Sequence, residues 1–177
     1  MATPPTFSVG ATLTAAQMNA VGMWLVKSQT VGTGVSSVTV TGAFSSDYDA
    51  YKIIWANGVA STGILLGLQL GSTTANYYGA SAYGVFGSTT PYGYSDNNAA
   101  RFTVAGGGDG SVIQLNAELQ NPFLSRVTTI SAPWQNATAG GHYSGRLADT
   151  NSYTAFTLIP NTGTMTGGTI SVYGFRK

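Results

Sequence analysis

Hydrophobic residues at every second position constrain this chain more than any other feature of its sequence. In the segment 47–58, DYDAYKIIWANG, Tyr51, Ile53 and Trp55 occupy alternate positions, which is the period of a β-strand. The residues between them are also mostly apolar, as is typical of a central strand covered on both faces. A second apolar run, ILLGLQL at 64–70, follows the turn-like sequence GVASTG. The two runs together predict an antiparallel hairpin.

The same pattern continues to the C-terminus as short runs rich in β-branched and aromatic residues. Turn-like sequences such as GSTTP, AGGGDG and PNTGTMTGG separate these runs. Strands are predicted at 36–40, 51–56, 64–70, 77–86, 101–104, 112–119, 127–132, 142–147, 155–159 and 169–175. Many short strands with no helix between them predict an all-β domain, an antiparallel jelly-roll-like β-sandwich over residues 35–177.

Residues 1–34 are predicted to form an extended arm that leads into one short helix. Thr14 and Gln17 match a capping box, so a helix is predicted over 14–27. A helix this short needs an apolar surface to pack on, either its own sandwich or another subunit. Because the body has a full set of strands, we expect it to fold without residues 1–30. The residues predicted to serve attachment or oligomerisation are Leu13, Met18, Val21, Trp24 and Leu25.

The scarcity of charge excludes several classes of function. Charged residues make up 7% of the 177 residues and the net charge is +1, against roughly 25% charged residues in ordinary soluble domains. Without a basic stripe we expect no nucleic-acid binding, and without an apolar run of about 20 residues we expect no membrane insertion. The absence of cysteine excludes disulfides and thiol catalysis. Few charges suit a surface that is covered in an assembly.

The sequence offers little material for catalysis. His142, Ser144 and Asp149 could be drawn as a triad, but no G-x-S-x-G nucleophile elbow is present. A glycosidase needs two carboxylates across a cleft, and Glu118 is the sole glutamate. Neither SDNN at 95–98 nor GGGDG at 106–110 matches a dedicated calcium loop. We therefore predict no catalytic residue, no metal site, no cofactor and no enzymatic activity.

A tyrosine-rich segment at 76–98, NYYGASAYGVFGSTTPYGYSDNN, is the strongest candidate for recognition. Tyrosine mixed with glycine, serine and asparagine is typical of adaptable binding loops. A tyrosine ring can stack on a sugar while its hydroxyl forms a hydrogen bond. The alternative is that these rings fill the sandwich core or a subunit interface. The candidate glycan contacts are Tyr77, Tyr78, Tyr83, Tyr92, Tyr94 and Asp96.

Two parts of the chain resemble virion proteins of tailed bacteriophages. The segment FSVGATLTAAQMNAVG at 7–22 is similar to a G-x-x-L-T-A-A-x-x-N segment near the start of phage tail and appendage proteins. The stretches SSVTVTGAFSSDYDAYKIIWA, ANYYGAS and GGTISVYGFRK resemble the β-sandwich domain of phage tail-fibre and head-decoration proteins.

This resemblance implies a structural virion protein that is assembled in the host bacterial cytoplasm. Its implied partners are other virion proteins and further copies of itself, most simply as a homotrimer. Two classes of function remain open. A tail-fibre or appendage subunit would contact host surface polysaccharide, whereas a capsid decoration protein would stabilise the particle and bind no external ligand.

Overall fold

The computed structural model describes Gly10, Thr12 and residues 22–176. Every regular element in that part of the chain is a β-strand, which confirms the all-β prediction. The strands are β1 Met23–Thr30, β2 Val38–Val40, β3 Tyr48–Ala56, β4 Val59–Ala60, β5 Ile64–Leu70, β6 Tyr77–Val85, β7 Pro91–Ala99, β8 Phe102–Gly108, β9 Ile113–Gln120, β10 Thr128–Gln135, β11 Ala139–Leu147, β12 Phe156–Pro160, β13 Met165–Thr166 and β14 Thr169–Arg176. The described part of the chain contains no candidate for a membrane-spanning helix.

The strands form an antiparallel sandwich that branches at β9. One edge of β9 pairs with β3 along its length, beyond which lie β14 and β1. The other edge pairs with β8 at Leu115 and with β10 at Leu119. Two wings begin at these points, β8-β5-β12-β2 and β10-β11-β6-β7. The predicted antiparallel sandwich is therefore confirmed.

Two glycines explain how the backbones meet at the branch. A Cβ atom added to Gly106 would lie 2.4 Å from the carbonyl oxygen of Gln114, and one added to Gly107 would lie 2.4 Å from that of Gln135. Both distances are too short for any residue with a side chain. The sequence AGGGDG, interpreted as a turn, instead supplies the end of β8, because glycine allows this close approach of backbones.

The core is built from the inward-facing positions of the strands. Tyr51, Ile53 and Trp55 are 0%, 0% and 3% exposed, which confirms that this set is buried. Lys52 and Ile54 on the opposite face of β3 are only half-buried, so the prediction that both faces are covered is wrong. The apolar pattern misled the prediction because side chains of neighbouring strands on the same face of the sheet can partly cover Ile54. No second layer of structure is needed for that.

The predicted hairpin between β3 and β5 is also wrong. Strand β3 pairs with β14 and β9, whereas β5 pairs with β12 and β8. The short strand β4 lies between them in sequence and pairs with β13. The chain therefore passes from one part of the sheet to another instead of turning back on itself.

The described part of the predicted helix is a strand. Strand β1 pairs with β14 from Met23 opposite Phe175 to Thr30 opposite Thr169, with a bulge between Leu25 and Lys27. The prediction is wrong for residues 23–27, because pairing with a distant strand outweighs the local preferences that favour a short helix. The capping residues and Leu13, Met18 and Val21 lie outside the described residues. Trp24 and Leu25 belong to β1.

A candidate ligand-binding cleft

The tyrosine-rich segment forms a hairpin of β6 and β7, and β6 confirms the strand predicted at 77–86. Strands β6 and β7 pair Tyr83 with Tyr92, Ser81 with Tyr94 and Gly79 with Asp96. Because side chains alternate between the faces of a strand, these paired positions share one face. Only β7 was not predicted, because its glycine, serine and asparagines resemble a loop, yet these residues fit a strand that packs closely against its neighbour.

Three aromatic rings form a row across the hairpin and its neighbours, and we call this row the aromatic ladder. Tyr92 stacks on Tyr83 with 5.5 Å between ring centroids and 23° between ring planes. Tyr83 is in turn 5.5 Å from the ring of Trp134 on β10. Strand β11 lies between β6 and β10 and places Gly141 beside both rings. A Cβ added there would lie 2.4 Å from the Cβ of Tyr83, so the glycine lets the rings meet.

A buried hydrogen-bond chain fixes the indole of the ladder. The Nε1–H of Trp134 donates to the Ser81 hydroxyl at 2.9 Å. The hydroxyl of Ser81 donates to the carbonyl oxygen of His142 at 3.0 Å. Trp134 and Ser81 are 6% and 4% exposed, so these polar groups find their partners inside the protein. The indole is thereby held in one orientation.

Next to the ladder lies a buried carboxylate whose two oxygens are both occupied. Asp96 accepts hydrogen bonds of 2.7 Å from the hydroxyls of Tyr94, Thr103 and Tyr143. Tyr143 reaches Asp96 by passing over Gly79, where an added Cβ would overlap the tyrosine oxygen. Burial, followed by the hydrogen bond to Asp96, raises the pKa of both Tyr94 and Tyr143 above the usual tyrosine value. These hydroxyls therefore remain protonated donors at neutral pH.

A solvent-open cleft runs between the wing that carries the ladder and strands β5 and β8. Its first section has a volume of about 290 Å³ and is lined by Tyr83, Trp134 and Val85 among others. Its second section has a volume of about 230 Å³ and includes Arg101 and Thr103. Both sections are lined by Leu65, Tyr94 and Val104. We call these two adjoining sections the aromatic cleft.

The polar groups at the rim of the aromatic cleft are mainly donors. The Oδ1 atom of Asn136 accepts from Thr138 and from the Ala139 amide, which directs its NH₂ group outward. The Oδ1 atom of Asn161 accepts from the Leu65 amide at 2.8 Å, so its NH₂ group is likewise available. Apolar walls with a few polar groups are the usual composition of a small-molecule site.

The structure divides the six candidate glycan contacts into three groups. Tyr77 and Asp96 are buried and support the scaffold, with the Tyr77 oxygen accepting from the Leu70 amide. Tyr78 lies on the opposite face of β6, with the guanidinium of Arg146 5.8 Å from its ring centroid. Tyr83 and Tyr94 line the cleft, and Tyr92 forms the exposed end of the ladder.

The cleft residues that were not predicted from the sequence include Trp134, Asn136, Arg101 and Asn161. Trp134, Asn136 and Asn161 lie far from the tyrosines in sequence, whereas Arg101 lies seven residues after Tyr94 at the start of the predicted strand 101–104. The alternation in TTISAPWQ places Trp134 on the inward face of its strand. No local pattern could show which residue lies opposite, because pairing between strands is a tertiary property.

The residues considered for catalysis do not assemble into a triad. The Nε2 atom of His142 is hydrogen-bonded to Ser131 at 3.1 Å on the outer face of the wing. Asp149 instead accepts from Tyr153 and Asn151. The acidic loop residue Asp109 accepts from the amides of the turn that joins β8 to β9. Each of these three side chains thus forms a hydrogen bond within the protein.

Comparison with known proteins adds no relative for this chain. No family model matches it, and no curated protein is significantly similar to it.

Proposed function

We propose that this protein is a non-enzymatic structural subunit of a tailed-phage virion, of the tail-fibre or appendage type, that contacts host surface saccharides through the aromatic cleft. The observation that carries the proposal is the aromatic ladder beside an open cleft with amide donors at its rim. The virion assignment rests on the sequence resemblance.

The chemistry of the cleft suits a sugar ring. The apolar faces of a pyranose pack against aromatic rings, and its hydroxyls need hydrogen-bond partners at the edges. Tyr83 and Tyr94 supply rings, and Asn136 and Asn161 supply donors. The two sections, at about 290 and 230 Å³, lie together within the usual size range of small-ligand sites. A short stretch of a polysaccharide would occupy both.

Binding to polysaccharides extracted from bacterial surfaces tests this function. We expect the purified protein to retain at least one polysaccharide. Tyr83→Ala should weaken that binding about 10-fold or more, because a nucleic-acid base stacked on an aromatic side chain contributes about 1–3 kcal/mol and a sugar ring presents a similar apolar face. Tyr78→Ala is the matched control, since Tyr78 is on the same strand but on the opposite face. Equal loss in both variants, or no binding to any polysaccharide, would contradict the proposal.

One observation favours a second candidate, a capsid decoration subunit without an external ligand. Strand β1 is an edge strand that pairs only with β14 within the described chain. Met23 and Phe175 lie opposite each other and are 43% and 37% exposed, and Leu25 is 57% exposed. An apolar edge strand of this kind is a surface for association with another chain.

Imaging of particles decides between the two candidates. An appendage subunit will be found on the tail, and a decoration subunit will be found on the capsid surface. The homotrimer implied by the resemblance is tested separately by analytical ultracentrifugation. A protein that remains monomeric at micromolar concentration would contradict a homotrimer that forms in solution and would restrict association to the assembled particle.

A further inference from the structure

One charged side chain lines the aromatic cleft, and its position bears on the kind of saccharide that fits. Arg101 belongs to the second section, and every other residue lining the two sections, as far as the structure describes the chain, is uncharged. No carboxylate of residues 22–176 forms an ion pair with Arg101. The ion pair that the structure shows within these residues joins Lys52 to Glu118 at 3.3 Å. A half-buried guanidinium without an anionic partner is an attractive site for an anion.

The backbone fixes where Arg101 lies. Strand β5 has a register shift between Leu66 and Leu68 relative to β8, and Gly67 lies at that bulge. The Arg101 side chain packs over this glycine, since a Cβ added to Gly67 would lie 2.7 Å from Nε and 2.8 Å from Cδ. Glycine at the bulge therefore makes room for the arginine beside the cleft.

Asp96, behind the wall of the cleft, makes no ion pair with Arg101. Thr103 lines the same section and donates to Asp96, so the carboxylate lies behind the wall of the cleft. Both of its oxygens already accept hydroxyl hydrogen bonds. The NH₂ group of Asn161 adds a second donor next to Arg101. The second section therefore presents donors and positive charge to a ligand.

We propose that the aromatic cleft binds a carboxylate-bearing saccharide, with one sugar ring against Tyr83 and Tyr94 and the carboxylate of the saccharide on Arg101. This inference rests on the proposed saccharide-binding function and specifies its ligand class. Arginine holds a carboxylate through two parallel hydrogen bonds. Selection follows, because a neutral sugar at the same place leaves the guanidinium without that partner.

The test compares each bacterial polysaccharide that contains uronic acid with a chemically reduced sample of the same polysaccharide, in which the carboxylates are primary alcohols. We expect the native form to bind about 10- to 100-fold more tightly than the reduced form, as charge-assisted hydrogen bonds allow. Arg101→Gln should bind the native form as weakly as the unaltered protein binds the reduced form. Arg101→Lys should recover part of the difference, and raised salt should weaken only native binding.

Two control variants separate this inference from its alternatives. Arg146→Gln removes an arginine from the outer face and should leave both affinities unchanged. Tyr83→Ala should weaken native and reduced forms alike. Equal binding of the two forms, or loss in Arg146→Gln but not in Arg101→Gln, would overturn the carboxylate proposal while saccharide binding stands. Failure of native, reduced and neutral polysaccharides to bind would overturn the saccharide function as well. Thermal unfolding of each variant verifies that it is folded.

Discussion

At the scale of single residues, buried aromatic side chains provide both apolar area and polar anchoring. Trp55 fills the core and also donates its Nε1–H to the carbonyl oxygen of Gly167 at 3.1 Å. Tyr143 is fully buried between Phe102 and the carboxylate of Asp96. In both residues the ring contributes burial and the polar atom fixes its orientation.

Truncation of Trp55 tests the central position of β3. Trp55→Ala should lower the free energy of unfolding by about 3–5 kcal/mol, because it empties an aromatic site in the core. Leu25→Ala is the control and should cost less than about 0.5 kcal/mol, since Leu25 is mostly exposed. Denaturant unfolding measures both values. A loss below about 1 kcal/mol for Trp55→Ala would show that the residue is peripheral.

The raised pKa of Tyr143 predicts a loss of stability at alkaline pH. Burial and Asp96 raise the pKa in the folded protein above the ordinary value of 10.0, so the folded state holds the proton more tightly than the unfolded state. Stability is therefore fully present below about pH 10 and falls as the pH rises further. Tyr143→Phe should cost about 1–3 kcal/mol at neutral pH and should reduce this alkaline slope.

Denaturant unfolding at a series of pH values measures that slope. The exposed Tyr92→Phe variant serves as the control and should follow the unaltered protein across the series. An alkaline slope that is identical in Tyr143→Phe would contradict the assignment.

At the scale of elements, glycines decide how closely the strands of the wing pack. Gly79 on β6 makes room for the hydroxyl of Tyr143, and Gly141 on β11 makes room for Tyr83. These positions lie in the same rows as Asp96 and the aromatic ladder. The geometry of the cleft therefore depends on glycine at these two positions, because any larger residue would displace Tyr143 or Tyr83.

Alanine at two glycines of β6 separates this effect from general loss of flexibility. Gly79→Ala should destabilise the protein by about 1–3 kcal/mol, because the added Cβ collides with Tyr143 and displaces it from Asp96. Gly84→Ala on the same strand has no atom within 4 Å of the new Cβ and should be nearly neutral. Thermal and denaturant unfolding provide the comparison. Similar losses in both variants would contradict the steric explanation.

At the scale of the whole molecule, β1 joins the N-terminal region to the last strand of the chain. Val26 packs against the core, and β1 covers the edge of β14 over seven paired positions. That the body folds without residues 1–30 stays a prediction, and β1 is expected to add to the stability of the sandwich. Loss of β1 would leave β14 as an exposed edge.

Two truncations isolate the contribution of β1. Deleting residues 1–30 should lower the melting temperature by several degrees relative to deleting residues 1–21, because about 2–4 °C corresponds to 1 kcal/mol in a chain of this size. The shorter deletion keeps all of β1 and is the matched control. Equal melting temperatures for the two truncations would show that β1 adds nothing to the stability of the sandwich.

Much of the architecture was predictable because a strand with one buried face shows an alternation of apolar residues in its own sequence. Ile64–Leu70 was predicted with the observed bounds, and the buried set on β3 followed from its alternation. Strand β1 was missed because its capping pattern and apolar spacing also suit a helix. Strand β7 was missed because Pro91, Gly93 and two asparagines resemble a loop. Pairing with β14 and β6 respectively gives these segments their extended form.

The sequence by itself determined the all-β class, the buried alternation and the low charge, because each depends on residue type and short spacing. It also pointed to Tyr83, Tyr92 and Tyr94. Only the tertiary structure decided that Trp134 meets Tyr83 across Gly141 and that Arg101 faces the same cleft. Those contacts depend on strand register and on the branch at β9, which join residues distant in sequence and leave no local pattern to detect.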